Sequence, residues 1–128
     1  MIVQAAVPVP IRLVVVIDDD PAVRNSLKFS LEVEGFTVRD YSSANELLRE
    51  AEIADAGCLV IDYHLPEMNG LEVLSRLRER RVAAPAILIT SHPSASVRQR
   101  AAKAGVCIVE KPLFGNALVE GIRNAFAE

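Results

Sequence analysis

Cysteine is scarce in this chain of 128 residues: Cys58 and Cys107 are the only two. No CxxC and no His/Cys ligand spacing accompanies them, which excludes a disulfide framework and a zinc-finger type of site. Each stands at or near the start of a strand-like apolar run, so both are expected to be buried thiols. Histidine is as rare, with only His64 and His92. Positive charge is not in excess. Fourteen Lys and Arg against seventeen Asp and Glu give a net charge of −3, which provides no broad basic surface and argues against direct nucleic-acid binding by this chain. An apolar stretch long enough to span a bilayer is also missing. "MIVQAAVPVPIRLVVVI" comes nearest, but Pro8, Pro10 and Arg12 interrupt it and it has no positively charged start. Residues 1–10 read as a lead-in arm, and residues 11–128 as one cytoplasmic domain without membrane contact. No repeat, low-complexity tract or linker lies within it.

What is present is ordinary for a globular core, with 51% apolar and 24% charged residues. Short Val/Ile-rich runs recur at residues 13–17, 36–38, 58–61, 86–89 and 106–109, as expected of strands buried on both faces. Helix-patterned segments separate them. After Pro21, Val23, Leu27 and Leu31 repeat at i+4, and Gly35 suits a stop. "SSANELLREAE" is a short helix with a serine cap. "NGLEVLSRLRERR" has Asn69 as its cap, with Leu71, Leu74 and Leu77 along one stripe. "SASVRQRAAKAG" is Ala-rich and has Val97 as its one sizeable apolar anchor, so it is expected to be the most weakly held helix. "NALVEGIRNAFAE" spaces Leu118, Ile122 and Phe126 four apart. Strict alternation predicts a doubly wound (βα)5 α/β domain, a three-layer sandwich around a parallel sheet.

Ligands of such sheets sit at the carboxyl ends of the strands. The first run ends in "VVVIDDD", the third in Asp62, the fourth in Thr90 and the fifth in Lys111–Pro112. Three carboxylates (Asp18, Asp19 and Asp62), a hydroxyl and an ammonium therefore converge on one rim. Crowded carboxylates repel unless a cation joins them, and a hard, oxygen-liganded ion such as Mg²⁺ resolves this. A divalent ion, a lysine and a hydroxyl together suit the spread negative charge of a phosphoryl group in transfer, with one aspartate as nucleophile. Taken one at a time the residues have plainer readings. Asp18 to Asp20 can be a solvated helix N-terminus, Asp62 with Pro66 and Gly70 a turn, Thr90 a strand end and Lys111 a surface lysine. Their convergence favours the site.

"VVVIDDDPAVR", "VIDYHLPEMNGLEVL", "PAILITSH" and "KAG…VEKPL" resemble the response-regulator receiver domain of two-component signalling, the CheY-like superfamily, over about residues 11–127. The resemblance implies the flavodoxin-like strand order 2-1-3-4-5. It implies that Asp62 is the phospho-accepting nucleophile. Mg²⁺ would be ligated by Asp19, with Asp18 assisting, by Asp62 and by the backbone carbonyl of His64. Thr90 would bond the phosphoryl oxygen, and Lys111 would pair with the phosphoryl group and Asp62. A cis peptide is implied before Pro112. The implied partner is a sensor histidine kinase or a histidine phosphotransfer protein, and a homodimer through the fourth helix, fifth strand and fifth helix is compatible with the family. The protein would catalyse only its own phosphorylation and dephosphorylation and so is not classed as an enzyme. The implied strand order also puts Cys58 and Cys107 two strand spacings apart, about 10 Å, which is too far for a disulfide.

Two features depart from the family pattern or extend it. The aromatic residue usual three positions before the lysine is replaced by Ile108, and the preceding "AGVCIVEK" is one residue short. Ile108 is either a packing variant with the switch intact or a break between Thr90 and the fifth strand that weakens output, leaving an interaction module or phosphate sink. His64 and His92 each lie two residues beyond a site residue. They are either solvated loop side chains or modulators of the acyl-phosphate lifetime; two ligands are too few for a transition-metal site. A haloacid-dehalogenase-like phosphatase using Asp18 and Asp20 is the enzyme alternative. A pseudo-receiver acting only by binding is the third reading, and the complete residue set argues against it.

Overall fold

The computed structural model describes residues 12–127 except 51 and 114, so the lead-in arm at 1–10 lies outside the described residues. The elements alternate as β1 (Leu13–Ile17), α1 (Pro21–Val33), β2 (Thr37–Tyr41), α2 (Ala44–Leu48), a 3-10 turn (Glu52–Asp55), β3 (Cys58–Asp62), α3 (Gly70–Glu79), β4 (Ala86–Thr90), α4 (Ala95–Lys103), β5 (Cys107–Glu110) and α5 (Ala117–Ala127). All strand pairs are parallel, and the order is β2-β1-β3-β4-β5, as the family resemblance implies.

The period of two along each strand divides the core in two. On one face Val15, Ile17, Leu59, Ile61 and Leu88 meet Leu47 of α2, Val73, Leu74 and Leu77 of α3, and Val97 and Ala101 of α4. On the other, Val14, Val16, Val60, Ile87 and Ile89 meet Leu27 and Leu31 of α1 and Leu118 and Ile122 of α5. Both faces are covered, so the three central strands are apolar up to the Asp62 and Thr90 that end β3 and β4, and they read clearly in the sequence.

The two edge strands were less legible. β2 begins at Thr37 and runs to Tyr41, in register from Leu13↔Thr37 to Ile17↔Tyr41, and Phe36 precedes it. At an edge the polar residues Arg39 and Asp40 are tolerated, so an apolar run was a poor guide to its length. β5 begins at Cys107, which is exposed, against the expectation of a buried thiol. The reason is its place: among the described residues β5 pairs only with β4, through Ile87↔Cys107. Cys58, in central β3, is buried as expected, and burial pushes its thiol pKa up to about 12. The register Val60↔Ile87↔Cys107 keeps β4 between the two cysteines, and both are free.

Helix starts follow the sequence closely. Asp20 caps α1, its Oδ1 accepting from the Ala22 N–H at 2.9 Å, with Pro21 in the first turn. Asn69 caps α3 by accepting from the Glu72 N–H at 2.9 Å, and its own Nδ2 donates back to the Glu72 carboxylate at 2.7 Å. Ser43 and Ser94 cap α2 and α4. Helix α4 buries only Val97 and Ala101, in line with its weak amphipathicity.

Candidate functional site

Asp18 follows β1 directly and is fully buried; Asp62 ends β3 and Thr90 ends β4, both almost fully buried. Asp19 is exposed at the mouth, and Lys111, just after β5, is half-buried. Parallel strands in this order bring all five residues to one end of the sheet. Carboxylate oxygens of Asp18, Asp19 and Asp62 lie within 4.8 Å of one another. The Lys111 Nζ is 3.2 Å from Asp18 Oδ2 and 3.4 Å from Asp62 Oδ2. Asp18 Oδ1 accepts from the Asp20 N–H at 2.9 Å, and Asp62 Oδ1 from the His64 N–H at 3.3 Å. The Lys111 N–H donates to the Thr90 carbonyl at 2.8 Å, and the Lys111–Pro112 peptide is cis.

Electrostatics sets the character of this cluster. Burial, reinforced by the charge of Asp18, pushes the Asp62 carboxyl up to about 6, although Lys111 and the His64 N–H oppose the rise. Burial pulls the Lys111 ammonium down, but the charges of Asp62 and Asp18 and its hydrogen bonds to them outweigh this, so its pKa rises. One ammonium thus serves two buried carboxylates, with a third at the mouth. A further cation fits this donor set of hard oxygens. The Thr90 Oγ1 is buried without a hydrogen-bond partner. A buried hydroxyl left this way needs an explanation, and a ligand oxygen on the rim supplies one.

Two neighbours carry more than the sequence revealed. Asn69–Gly70 read as a turn, but Gly70 is required by packing: a Cβ there would lie 2.6 Å from the Asp62 carbonyl oxygen and 2.8 Å from Leu88 Cδ1. This glycine lets α3 start directly behind the acidic cluster. The second is Tyr63. Its N–H donates to the Ile89 carbonyl and its own carbonyl accepts from the Gly70 N–H, both at 2.9 Å. Its ring packs against the α2/α3/α4 side of the core together with Ile108, and its hydroxyl accepts from Arg100 Nη2 of α4 at 2.9 Å. A tyrosine beside a strand end carries no sequence signal of such a reach. Both histidines are exposed. The His64 ring stands edge-on to Tyr63 with centroids 5.0 Å apart, and His92 adopts a positive φ of 45° in the β4–α4 loop.

Residues 14–123 match the family described as the response regulator receiver domain. The chain belongs to this family. Among curated relatives, the receiver is 37% identical over 111 residues to the transcriptional regulatory protein FixJ of Rhizobium meliloti (strain 1021), covering 86% of this chain and 54% of that protein. It is 32% identical to the C4-dicarboxylate transport transcriptional regulatory protein DctR of Rhodobacter capsulatus, covering 88% and 58%. This receiver thus spans little more than half the length of either relative. Among solved structures it resembles FixJ-N at 35% identity and a TM-score of 0.80, covering 91% of this chain and 94% of that one. A receiver domain protein from Methanospirillum hungatei JF-1 aligns with a TM-score of 0.81 at 28% identity, covering the same shares. No helix among the described residues is long and apolar enough to cross a membrane.

Proposed function

We propose that this receiver accepts a phosphoryl group on Asp62 from the phosphohistidine of a sensor histidine kinase or a histidine phosphotransfer protein, and passes on the change as a conformational signal. The observation that carries the reading is the buried, electrostatically burdened Asp62 carboxylate 3.4 Å from an ammonium, at the same end of the sheet as the unpartnered Thr90 hydroxyl. An Asp62 oxygen attacks phosphorus, the donor's P–N bond breaks, and the imidazole departs with the bonding electron pair, leaving an acyl phosphate. Lys111 neutralises charge on the transferred group, and the Thr90 hydroxyl donates a hydrogen bond to a phosphoryl oxygen. Asp18, Asp19, Asp62 and the His64 carbonyl would hold Mg²⁺, which when bound offsets the carboxylate and phosphoryl charge.

Helix α1 exposes Phe29 and Val33. Its other side borders a groove of about 450 Å³ between Val23, Leu27, Leu113 and Val119 that reaches Lys111. This apolar rim suits a helical donor docking over the site. Residues 11–128 form the functional unit, working in the cytoplasm with its donor and able to pair with a second copy through α4, β5 and α5. The phosphatase alternative requires Asp20 as a partner of Asp18 in the chemistry, yet the Asp20 carboxylate caps α1. The two exposed imidazoles, His64 and His92, bear on how water reaches the acyl phosphate.

Intact-mass measurement with Mg²⁺ and a small phosphodonor tests the reading. One phosphoryl adduct is expected on the wild type and none on Asp62→Asn. Its decay should change in His64→Ala and His92→Ala. An adduct that survives in Asp62→Asn removes the assignment, and turnover of an outside phosphomonoester that depends on Asp18 would install the phosphatase instead.

A further inference from the structure

Arg24 lies one turn into α1, outside the set of acidic, hydroxyl and ammonium groups. Its side chain is nonetheless only 17% exposed. Its Nη1 donates to the backbone carbonyl of Asp18 at 2.9 Å, and its Nε to Asp40 Oδ2 at 3.2 Å. Asp40 is on the neighbouring strand β2, paired with Val16, and its other oxygen lies 3.7 Å from the Lys28 Nζ. The Asp18 carbonyl sits where the chain leaves β1 and turns into α1, beyond the last β1–β2 residue pair, Ile17↔Tyr41. A carbonyl in so buried a residue needs a donor, and the guanidinium supplies it.

We propose that Arg24 is a positioning residue for the acidic cluster: braced by Asp40, it fixes the Asp18–Asp19 peptide plane and so aims both carboxylates at the cation site. The peptide group is planar, so holding the Asp18 oxygen also sets the direction in which Asp19 departs. Asp18 is held at four points: its N–H donates to the Tyr41 carbonyl at 3.2 Å, its Oδ1 accepts from the Asp20 N–H, its Oδ2 accepts from Lys111 Nζ, and its carbonyl accepts from Arg24. No hydrogen bond or ion pair from another described residue holds the Asp19 side chain, and the shared peptide is its link to the framework. The inference rests on the reading of this cluster as a divalent-cation site.

Charge and geometry predict opposite outcomes, which makes the role measurable. As a positive charge near a cation site, Arg24 repels the ion, and its removal alone would tighten binding. As a brace, its removal loosens the ligands and weakens binding. Lysine keeps the charge but cannot make the two-pronged contact. The test is calorimetric titration of the unphosphorylated full chain with Mg²⁺, with melting of the metal-free protein followed in parallel. Arg24→Lys should weaken Mg²⁺ binding several-fold and Arg24→Met by about tenfold, the scale seen when residues that orient metal ligands are lost. Asp40→Asn should weaken it less, and adding it to Arg24→Met should cost nothing further. Unchanged affinity in Arg24→Lys, or tighter binding in Arg24→Met, overturns the proposal while leaving the site intact. If Arg24→Met does not fold, Arg24→Lys and Asp40→Asn carry the same decision. Asp19→Asn serves as the control: a wild type without Mg²⁺ affinity, or binding indifferent to Asp19→Asn, removes the cation site and the proposal with it.

Discussion

Asp62 spends its folded life in an unfavourable environment. Its pKa is raised from an ordinary 3.8 to about 6, first by burial and then by Asp18. The folded state therefore holds this proton more tightly than the unfolded chain does. Stability from the protonated form is fully present below the unfolded pKa and is lost as pH rises through about 6. In chelator, the wild type is expected to lose on the order of 2–3 kcal/mol from this group on titration from about pH 4 to pH 7. Asp62→Asn should flatten that slope and melt higher at neutral pH. Denaturant melts across this range check it, and an equal slope in both proteins would remove the account. At this scale the sequence was informative about what meets at the rim, since Asp18, Asp19, Asp62, Thr90 and Lys111 each follow a strand. It was silent on Arg24 and Tyr63, whose parts depend on neighbours 16 and 37 residues away.

Among the elements, α5 is held at its far end by an aromatic stack. Phe126 lies against Phe36 with centroids 5.6 Å apart, and the Arg12 guanidinium lies over the Phe36 ring, 4.7 Å from its centroid. Gly57, just before β3, leaves room for this ring: a Cβ there would fall inside the Phe126 edge. Gly57→Ala should destabilise the fold by about 1–3 kcal/mol through forced repacking, read from urea midpoints; an unchanged midpoint would show that the α5 end yields freely. Helix α4 contrasts with α5. Beyond Val97 and Ala101, its links are side-chain contacts: the Arg98–Glu110 ion pair to β5 and the Arg100–Tyr63 hydrogen bond to the loop after β3. Such a helix shifts at low cost.

Across the whole molecule these links bear on the signal. Ile108 fills the β5 position without a ring or hydroxyl, paired with Leu88 and packed on the same side of the core as Tyr63. Tyr63, adjoining Asp62, is bonded to α4 through Arg100 and so ties the loop after β3 to that helix. With the switch intact, a fluoroberyllate mimic should move amide resonances across residues 91–127, Ile108 included. Shifts confined to the immediate surroundings of Asp62 would show that Thr90 and β5 are uncoupled.

The alternation of apolar runs and amphipathic segments determined the α/β architecture, because strands buried on both faces must be apolar throughout and helices must not be. Capping residues such as Ser43 and Asn69 marked helix starts, because their hydrogen bonds reach only three residues along the chain. Tertiary structure decided what depends on an edge or on a distant partner. Among the described residues β5 has one neighbouring strand, which leaves Cys107 exposed, and β2 likewise pairs on one side, which lets it extend through Arg39 and Asp40; Gly70 is small because Asp62 stands behind it. Strand order is the common cause. Composition reports how much of a segment is buried, but only the packed sheet decides against what.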